Sequence, residues 1–177
     1  MTFDTTITAF SARDLERDVD DLGALLHACV NAGASVGFVL PYSAADSEAF
    51  WTGSVRPNVE AGTRLLLVAR RGDRIAGSVQ LDYDTPPNQP HRAEVRKLLV
   101  HPDLRRQGIA QRLMAELERR APALGRTLLT LDTRTGDKAE PLYAALGYQT
   151  VGVIPDFCRD TVDAGRLDST TIMYKRL

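Results

Sequence analysis

The residues with the clearest capacity for chemistry lie in one stretch of the chain, from residue 93 to residue 148. A strand-like run there ends at Leu98–Val100, and Arg105–Ala110 then opens an amphipathic helix. The N terminus of a helix presents unpaired N–H groups and the positive end of the helix dipole, both of which attract anions. Gly108 would let a phosphate group approach the backbone closely, and two nearby arginines add positive charge. The spacing predicts a phosphate-binding turn, with a solvent-exposed arginine turn as the alternative.

The turn has neither of the two commonest phosphate-binding patterns. It lacks Gly-x-x-x-x-Gly-Lys-Ser/Thr, and it lacks Gly-x-Gly-x-x-Gly after a first strand. Its own pattern is Arg-x-x-Gly-x-Ala directly after an apolar strand. The motif alone is therefore weak evidence, and the elements around it must carry part of the argument.

Hydrophobic periodicity predicts the elements that position this turn. Helices are predicted over residues 13–32, 44–59, 107–121 and 138–146. Strands are predicted over residues 5–10, 64–70, 75–83, 93–100, 128–131, 151–154 and 170–174. Because neither a linker nor a repeat divides these elements, we expect one mixed α/β domain over residues 1–177.

Composition and charge exclude several classes of protein. The chain has 22 basic and 23 acidic residues, a balance that predicts neither a nucleic-acid partner nor attraction to a membrane surface. The charge-free stretch Leu22–Ala45 is long enough to span a bilayer, but breakers interrupt it, so a buried helix followed by a loop is predicted. Residues 1–14 lack the features of a secretory signal. Two distant cysteines without metal-ligand spacing predict a reduced, cytoplasmic protein with no metal site.

Two motifs together resemble those of one enzyme family. Val95–Pro102 followed by Arg105–Ala110 looks like the acetyl-coenzyme A (acetyl-CoA) motif of the GNAT N-acetyltransferase superfamily. Leu142–Tyr148 resembles the motif that follows it in that family, Leu-Tyr-x-x-x-Gly-Phe/Tyr. Glu94–Leu98, Leu131–Thr133 and the C-terminal tail further resemble the tabtoxin-resistance acetyltransferase branch. In contrast to many members of the superfamily, the chain has Gly136 where an asparagine would contact the pantetheine arm of the cofactor.

The resemblance implies a fold and an activity. The fold would be a mixed, mostly antiparallel sheet of six to seven strands, flanked by about four helices and splayed between the fourth and fifth strands. The activity would be direct transfer of an acetyl group from acetyl-CoA to a primary amine of a small molecule, such as an amino acid, toxin or antibiotic. The alternatives are acetylation of a protein N terminus or lysine, and a non-catalytic acyl-CoA-binding module. The resemblance leaves both a monomer and a homodimer open.

The resemblance also implies which residues bind the cofactor. The pantetheine arm would pair with the edge of the fourth strand, where a bulge would direct an N–H group at the thioester oxygen and stabilise the charge that develops there. The phosphates would lie at the helix N terminus. These cofactor-binding positions are Leu98, Leu99, Val100, Arg105, Arg106, Gln107, Gly108, Ile109, Ala110 and Gln111.

Three side chains are candidates for proton transfer. Tyr143 matches the family position whose hydroxyl faces the sulfur, so it is the predicted acid for the leaving thiolate, with core packing as the alternative. An alkylamine has a pKa of about 10.4 and must lose a proton before it attacks. Asp132 and Glu94 are the candidate bases, and burial that raised the pKa of either carboxyl would help. If they do not act as bases, Asp132 would be an ordinary loop or capping residue and Glu94 a solvated residue at a strand end.

The family builds its acceptor cleft from the first two helices and their connection, which here carry Phe38, Phe50 and Trp51. We expect at least one of these three to be plain core. Cys158 follows the core motifs, and we expect no activated cysteine nucleophile in the site.

Overall fold

A computed structural model describes residues 4–177, and a seven-stranded mixed sheet runs through them. The order across the sheet is β1-β2-β3-β4-β5-β7-β6, and only the β4–β5 pair is parallel. This agrees with the predicted mixed, mostly antiparallel sheet. The strands are β1 (Thr5–Phe10), β2 (Arg64–Arg71), β3 (Arg74–Asp82), β4 (Arg92–Val100), β5 (Leu128–Arg134), β6 (Gln149–Arg159) and β7 (Leu167–Arg176).

All four predicted helical segments are helical, and two of them are divided. The segment predicted over 13–32 separates at Asp18, and the one predicted over 44–59 contains a π-helical turn, Trp51–Val55. The α-helices of the described chain are α1 (Ala12–Arg17), α2 (Val19–Asn31), α3 (Ala44–Phe50), α4 (Arg56–Glu60), α5 (Ile109–Arg120) and α6 (Ala139–Ala145). Over residues 4–177 the helices are too short or too polar to cross a bilayer.

Local sequence sets where α1 and α3 begin. Ser11 and Ser43 each accept a hydrogen bond from the backbone N–H three residues on, at 3.2 and 3.1 Å. The aspartates at those positions, Asp14 and Asp46, accept a bond from the serine backbone in return, at 2.9 Å in both helices. These are capping boxes, which satisfy two otherwise unpaired N–H groups at each helix start.

The sheet has a hydrophobic core on each face. Helices α1–α3 and the turn after α3 cover one face, with a core that includes Leu15, Leu22, Leu26, Trp51, Leu66 and Val68. Helices α5 and α6 cover the other face, with a core that includes Val79, Leu81, Leu113, Met114, Leu117 and Leu129. Each core buries apolar side chains from both the sheet and its helices, which is the main stabilising contribution in a layered fold.

The predicted splay between the fourth and fifth strands is confirmed. The pairing between β4 and β5 is limited to three residues of each strand, Arg92–Glu94 of β4 and Leu128–Thr130 of β5, although both strands continue beyond these residues. After Glu94 the edge of β4 that faces β5 is free of strand partners. The sheet therefore opens at its centre, where an added extended chain can pair with β4.

Gly77 in β3 is required by the close approach of its neighbours. A Cβ atom there would lie 2.5 Å from the carbonyl oxygen of Leu99 and 3.2 Å from Cδ1 of Leu113. We expect Gly77→Ala to lower the free energy of unfolding by about 1–3 kcal/mol, because the backbone of β4 must shift to admit the methyl group. Urea unfolding measures the change. Gly152→Ala in β6 is the matched control, since no atom lies within 4 Å of its Cβ position, and an equal loss in both variants would contradict the explanation.

Candidate active site

A cavity of about 330 Å³ lies where β4 and β5 diverge. Its walls come from the ends of these two strands, from α6, from β6 and β7, and from the loop that follows α2. All three predicted proton-transfer residues line it: Tyr143, Asp132 and Glu94. The volume is at the small end of the range for ligand sites, which suits a small molecule.

The loop after α2 is held in place by the connection between β6 and β7. The Leu40 N–H donates to the carbonyl oxygen of Thr161 at 2.8 Å, and the Thr161 hydroxyl donates to the carbonyl oxygen of Ala34 at 3.0 Å. Phe38 lies between these two anchors and packs edge-on against Phe50 with their ring centroids 5.2 Å apart. The part of this loop that lines the cavity, Ala34–Gly37, is thus fixed to the connection between β6 and β7, whereas Phe38 and Phe50 lie behind the lining residues.

A β-bulge interrupts β4 at the cavity. Ser78 pairs with Leu99 and Gln80 pairs with Arg96, so two residues of β4 face one residue of β3. Lys97 within the bulge has a φ of +50°, which is rare for a residue with a side chain. The bulge turns the Lys97 side chain toward Phe38 in the loop after α2, whereas Leu98 packs against the core beneath α5. The bulge expected from the family resemblance is present in the chain.

Sequence reasoning did not single out Lys97. In a regular strand its side chain would share a face with Val95 and Leu99, both of which are buried. A regular strand would therefore bury the charged lysine side chain in the core, and a bulge avoids this by turning the side chain away. The lysine between two apolar positions was the sequence feature that could have indicated the bulge.

The predicted phosphate-binding turn is exposed and uncapped. Gly108 has a φ of +76°, and no side chain caps the N terminus of α5. Arg106 also has a positive φ, +62°. The side chains of Arg105 and Gln107 make local contacts: Arg105 Nε donates to the carbonyl oxygen of Val100 at 3.4 Å, and Gln107 accepts from Arg71. The free N–H groups of the first turn are available to an anion.

The geometry fits acetyl-CoA on two counts. No atom lies within 4 Å of the Cβ position of Gly108, so a phosphate can approach the backbone there. The free edge of β4 leads from this turn to the cavity, as pantetheine binding requires. These are the positions to which the family resemblance assigns the pantetheine arm, residues 98–100, and the phosphates, residues 105–111. Gly136 has a φ of +77° in the turn before α6, which explains a glycine at that position.

We expect Gly108→Val to raise the dissociation constant for coenzyme A at least 10-fold, because its side chain fills the space that the phosphate needs. Isothermal titration with coenzyme A measures this. The matched control is Gly125→Val, since Gly125 also has a positive φ, +74°, ends a helical turn and has no atom within 4 Å of its Cβ position. Both variants bear the same backbone strain, but only the first should lose affinity. Equal affinity in the two variants would contradict the assignment of this turn.

Tyr143 combines burial with an accessible hydroxyl. Its side chain lies in the core beneath α6, only 7% exposed, and it lines the cavity. Within the described chain its hydroxyl has no hydrogen-bond partner. Burial, together with the nearby carboxylate of Asp132, raises the pKa of Tyr143 above its usual value. The hydroxyl therefore stays protonated at neutral pH and can act as a donor.

Asp132 lines the cavity and its side chain is exposed. Its side chain points to the face of β5 opposite the core residues Leu129 and Leu131. The Thr170 hydroxyl lies 3.0 Å from both Oδ2 of Asp132 and the carbonyl oxygen of Thr133, and its one proton can be donated to either. No cation forms an ion pair with it among residues 4–177. The carboxylate is thus oriented by one neighbour and otherwise open to a ligand.

Glu94 is placed at the point where β4 and β5 separate. It pairs with Thr130, the last residue of β5 that pairs with β4. Its side chain is partly exposed and lies 3.5 Å from Nε of Arg96, which in turn bonds Asp82 at 3.1 Å. Glu94 faces the same cavity as Asp132, but a cation already accompanies it.

The structure also places Cys158 and Trp51, which were considered from the sequence. Cys158 lines the cavity, because β6 runs beside β7 and brings it there, although its position after the core motifs suggested otherwise. Its Sγ lies 4.0 Å from the carbonyl oxygen of Asp168, with no activating base or cation recorded beside it in the described chain. Trp51 is fully buried and donates to the carbonyl oxygen of Leu22 at 2.8 Å, so it is the core member of the aromatic trio.

Known proteins resemble the chain in sequence and in fold. Residues 25–148 match the model of the Acetyltransferase (GNAT) family. An N-acetyltransferase of Azospirillum brasilense, encoded in the hisH-hisA intergenic region, is 33% identical over 126 residues, which cover 70% of this chain and 73% of that protein. An acetyltransferase of Pectobacterium atrosepticum is 38% identical over 91 residues, 51% of this chain and 61% of that one. The structure of yncA from Salmonella typhimurium with its cofactor acetyl-CoA has a TM-score of 0.76 at 18% identity, covering 98% and 94% of the two chains.

Proposed function

We propose that this chain, which belongs to the GNAT family of acetyltransferases, transfers the acetyl group of acetyl-CoA directly to a primary amine of a small molecule. The observation that carries the proposal is the cavity at the β4–β5 splay, which Asp132 and Tyr143 both line. An amine needs a proton acceptor and a thiolate needs a proton donor, and these two side chains supply one of each. The acceptor class proposed is an amino acid or a toxin- or antibiotic-like amine.

Asp132 acts first in the proposed mechanism. Its carboxylate takes a proton from the bound ammonium group, either directly or through one water, and so frees the nitrogen lone pair for attack. Its bond from Thr170 leaves the other carboxylate oxygen available for this step. Glu94 is the second candidate for the same task, but Arg96 already lies 3.5 Å from one of its carboxylate oxygens, so Asp132 is the more open of the two to an acceptor.

Tyr143 acts as the acid. Its protonated hydroxyl donates to the sulfur as the carbon–sulfur bond breaks, and this makes the thiol the leaving group. Acetyl-CoA supplies an activated acetyl group, and the N–H groups of the bulged segment of β4 can stabilise the charge that develops on its carbonyl oxygen. Direct transfer is favoured over a cysteine intermediate, because Cys158 lacks an activating neighbour and burial raises the pKa of the other thiol, Cys29.

We further propose that the enzyme is cytoplasmic, has one domain, acts as a monomer or homodimer and uses no metal ion. Among residues 4–177 no group of three or more histidine, cysteine, aspartate or glutamate side chains is arranged to hold a metal ion.

The test is release of free thiol from acetyl-CoA, measured across amino acids, polyamines, aminoglycosides and short peptides. We expect acceptor-dependent thiol release with at least one small amine, and mass spectrometry should show the acetylated amine. The control is thiol release without an acceptor, which measures hydrolysis. Release with peptides alone would support a protein acetyltransferase. Tight binding of coenzyme A with no acceptor-dependent release would support a non-catalytic module and overturn the proposal.

A further inference from the structure

The charges that line the cavity are unevenly paired. Arg134 forms ion pairs with three carboxylates, those of Asp137, Asp160 and Asp168, at 3.1, 3.2 and 3.5 Å. Arg96 and Glu94 also pair with each other, as described above. Two lining groups form no ion pair within 4 Å in the described chain, the ammonium of Lys97 and the carboxylate of Asp132. They attract each other only at longer range, so the cavity presents one cation and one anion that are not in direct contact.

The position of the Lys97 ammonium is built by several elements. Nζ lies 5.4 Å from the ring centroid of Phe38 and 5.9 Å from that of Phe50, within the range of cation–π attraction. A Cβ atom at Gly37 would lie 3.1 Å from Nζ, so only a glycine leaves the ammonium its full space. The strained bulge of β4 is what places this side chain on the cavity side. Burial lowers the pKa of Lys97, a shift that an anionic ligand would oppose.

We propose that Lys97 binds an anionic group of the acceptor, so that the acceptor is a zwitterion whose amine lies at Asp132 and whose carboxylate or similar oxyanion lies at Lys97. This inference rests on the proposed function and narrows its acceptor class. A zwitterion matches both of these separated charges at once, whereas a polyamine or an aminoglycoside would bring only positive charge toward Lys97. Small amino acids are of a size that a cavity of about 330 Å³ can hold.

The first experiment measures binding and does not depend on turnover. The protein saturated with coenzyme A is titrated with the common L-amino acids, β- and γ-amino acids and aminoalkyl phosphonates, and with the carboxamide of each amino acid. We expect at least one acid to bind and its amide to bind 10-fold or more weakly, because the amide lacks the charge that Lys97 recognises. The amide keeps the amine, so the difference reports on the anionic group alone.

The second experiment changes the protein. Lys97→Met keeps the length and apolar contacts of the side chain but removes the charge, and we expect it to weaken binding of the acid about 10- to 100-fold while leaving its amide unaffected. If the acid is acetylated, the loss should appear in KM more than in kcat. Lys138→Met is the matched control, because Lys138 is exposed and does not line the cavity. Thermal unfolding of both variants checks that the fold is retained.

The outcomes separate this inference from the proposed function. Equal affinity of the wild type for an acid and its amide would overturn the inference, and so would an equal loss of affinity for both in Lys97→Met. Neither result would count against acetyl transfer. Failure of every zwitterion to bind would also overturn it. Selective binding of an acid without acetyl transfer would support the anion site and count against the enzyme proposal. A purely structural Lys97 predicts a lower melting temperature with no change in the acid-to-amide ratio.

Discussion

Tyr143→Phe is expected to lower the turnover number by roughly 10²–10³, the scale of general acid catalysis. The substitution keeps the ring, which packs in the core beneath α6, and removes the one proton that the side chain can donate. Because the hydroxyl has no hydrogen-bond partner in the described chain, its loss should leave the melting temperature almost unchanged. Affinity for coenzyme A should change little for the same reason. Turnover, cofactor affinity and melting temperature are measured on one preparation.

Tyr148→Phe is the matched control for Tyr143. Tyr148 is also a buried tyrosine, with its ring centroid 5.7 Å from that of Tyr143, but it does not line the cavity. We expect its loss of a hydroxyl to leave the turnover number nearly unchanged. Wild-type turnover in Tyr143→Phe would remove the acid role and leave water or the thiol's own acidity as the route. A loss of turnover accompanied by an equal loss of stability would indicate a packing role.

The element order could be predicted from the sequence because each element carries its own local signal. The apolar positions of α5 follow the helical period, and the helix begins at Ile109, directly after Gly108. The splay was expected only through the family resemblance, since nothing in β4 or β5 alone states where their pairing ends. The division of the first predicted helix at Asp18 was missed, because the apolar pattern continues across that residue.

The local conformation of the site depended on tertiary contacts that periodicity does not report. The bulge at Lys97 exists because β3 and β4 pair on both sides of it with registers that differ by one residue. The need for Gly77 comes from the carbonyl oxygen of Leu99, a contact between residues 22 positions apart. Cys158 reached the cavity through the pairing of β6 with β7. Such features follow from strand register, which a single sequence specifies only through the completed core.

Asp132→Asn is expected to lower the turnover number by roughly 10²–10³ at neutral pH, because the amide cannot take a proton from the ammonium group. Asparagine is similar in size, and its side-chain oxygen can still accept the bond from Thr170, so the fold should be retained. The deficit should shrink as the pH rises toward the pKa of the acceptor, about 10.4 for an alkylamine, since the amine then loses its proton without help. The pH profile of turnover in both proteins measures this.

Glu94→Gln, measured in parallel, decides which carboxylate is the base. If Asp132 is the base, Glu94→Gln should retain most of the wild-type turnover and the wild-type pH profile. A pH-dependent deficit in Glu94→Gln together with full activity in Asp132→Asn would transfer the role to Glu94. A deficit in Asp132→Asn that stays constant at every pH would indicate that Asp132 positions the acceptor and does not take its proton. Full activity in both variants would leave water as the proton acceptor, with the carboxylates contributing only to the charge of the cavity.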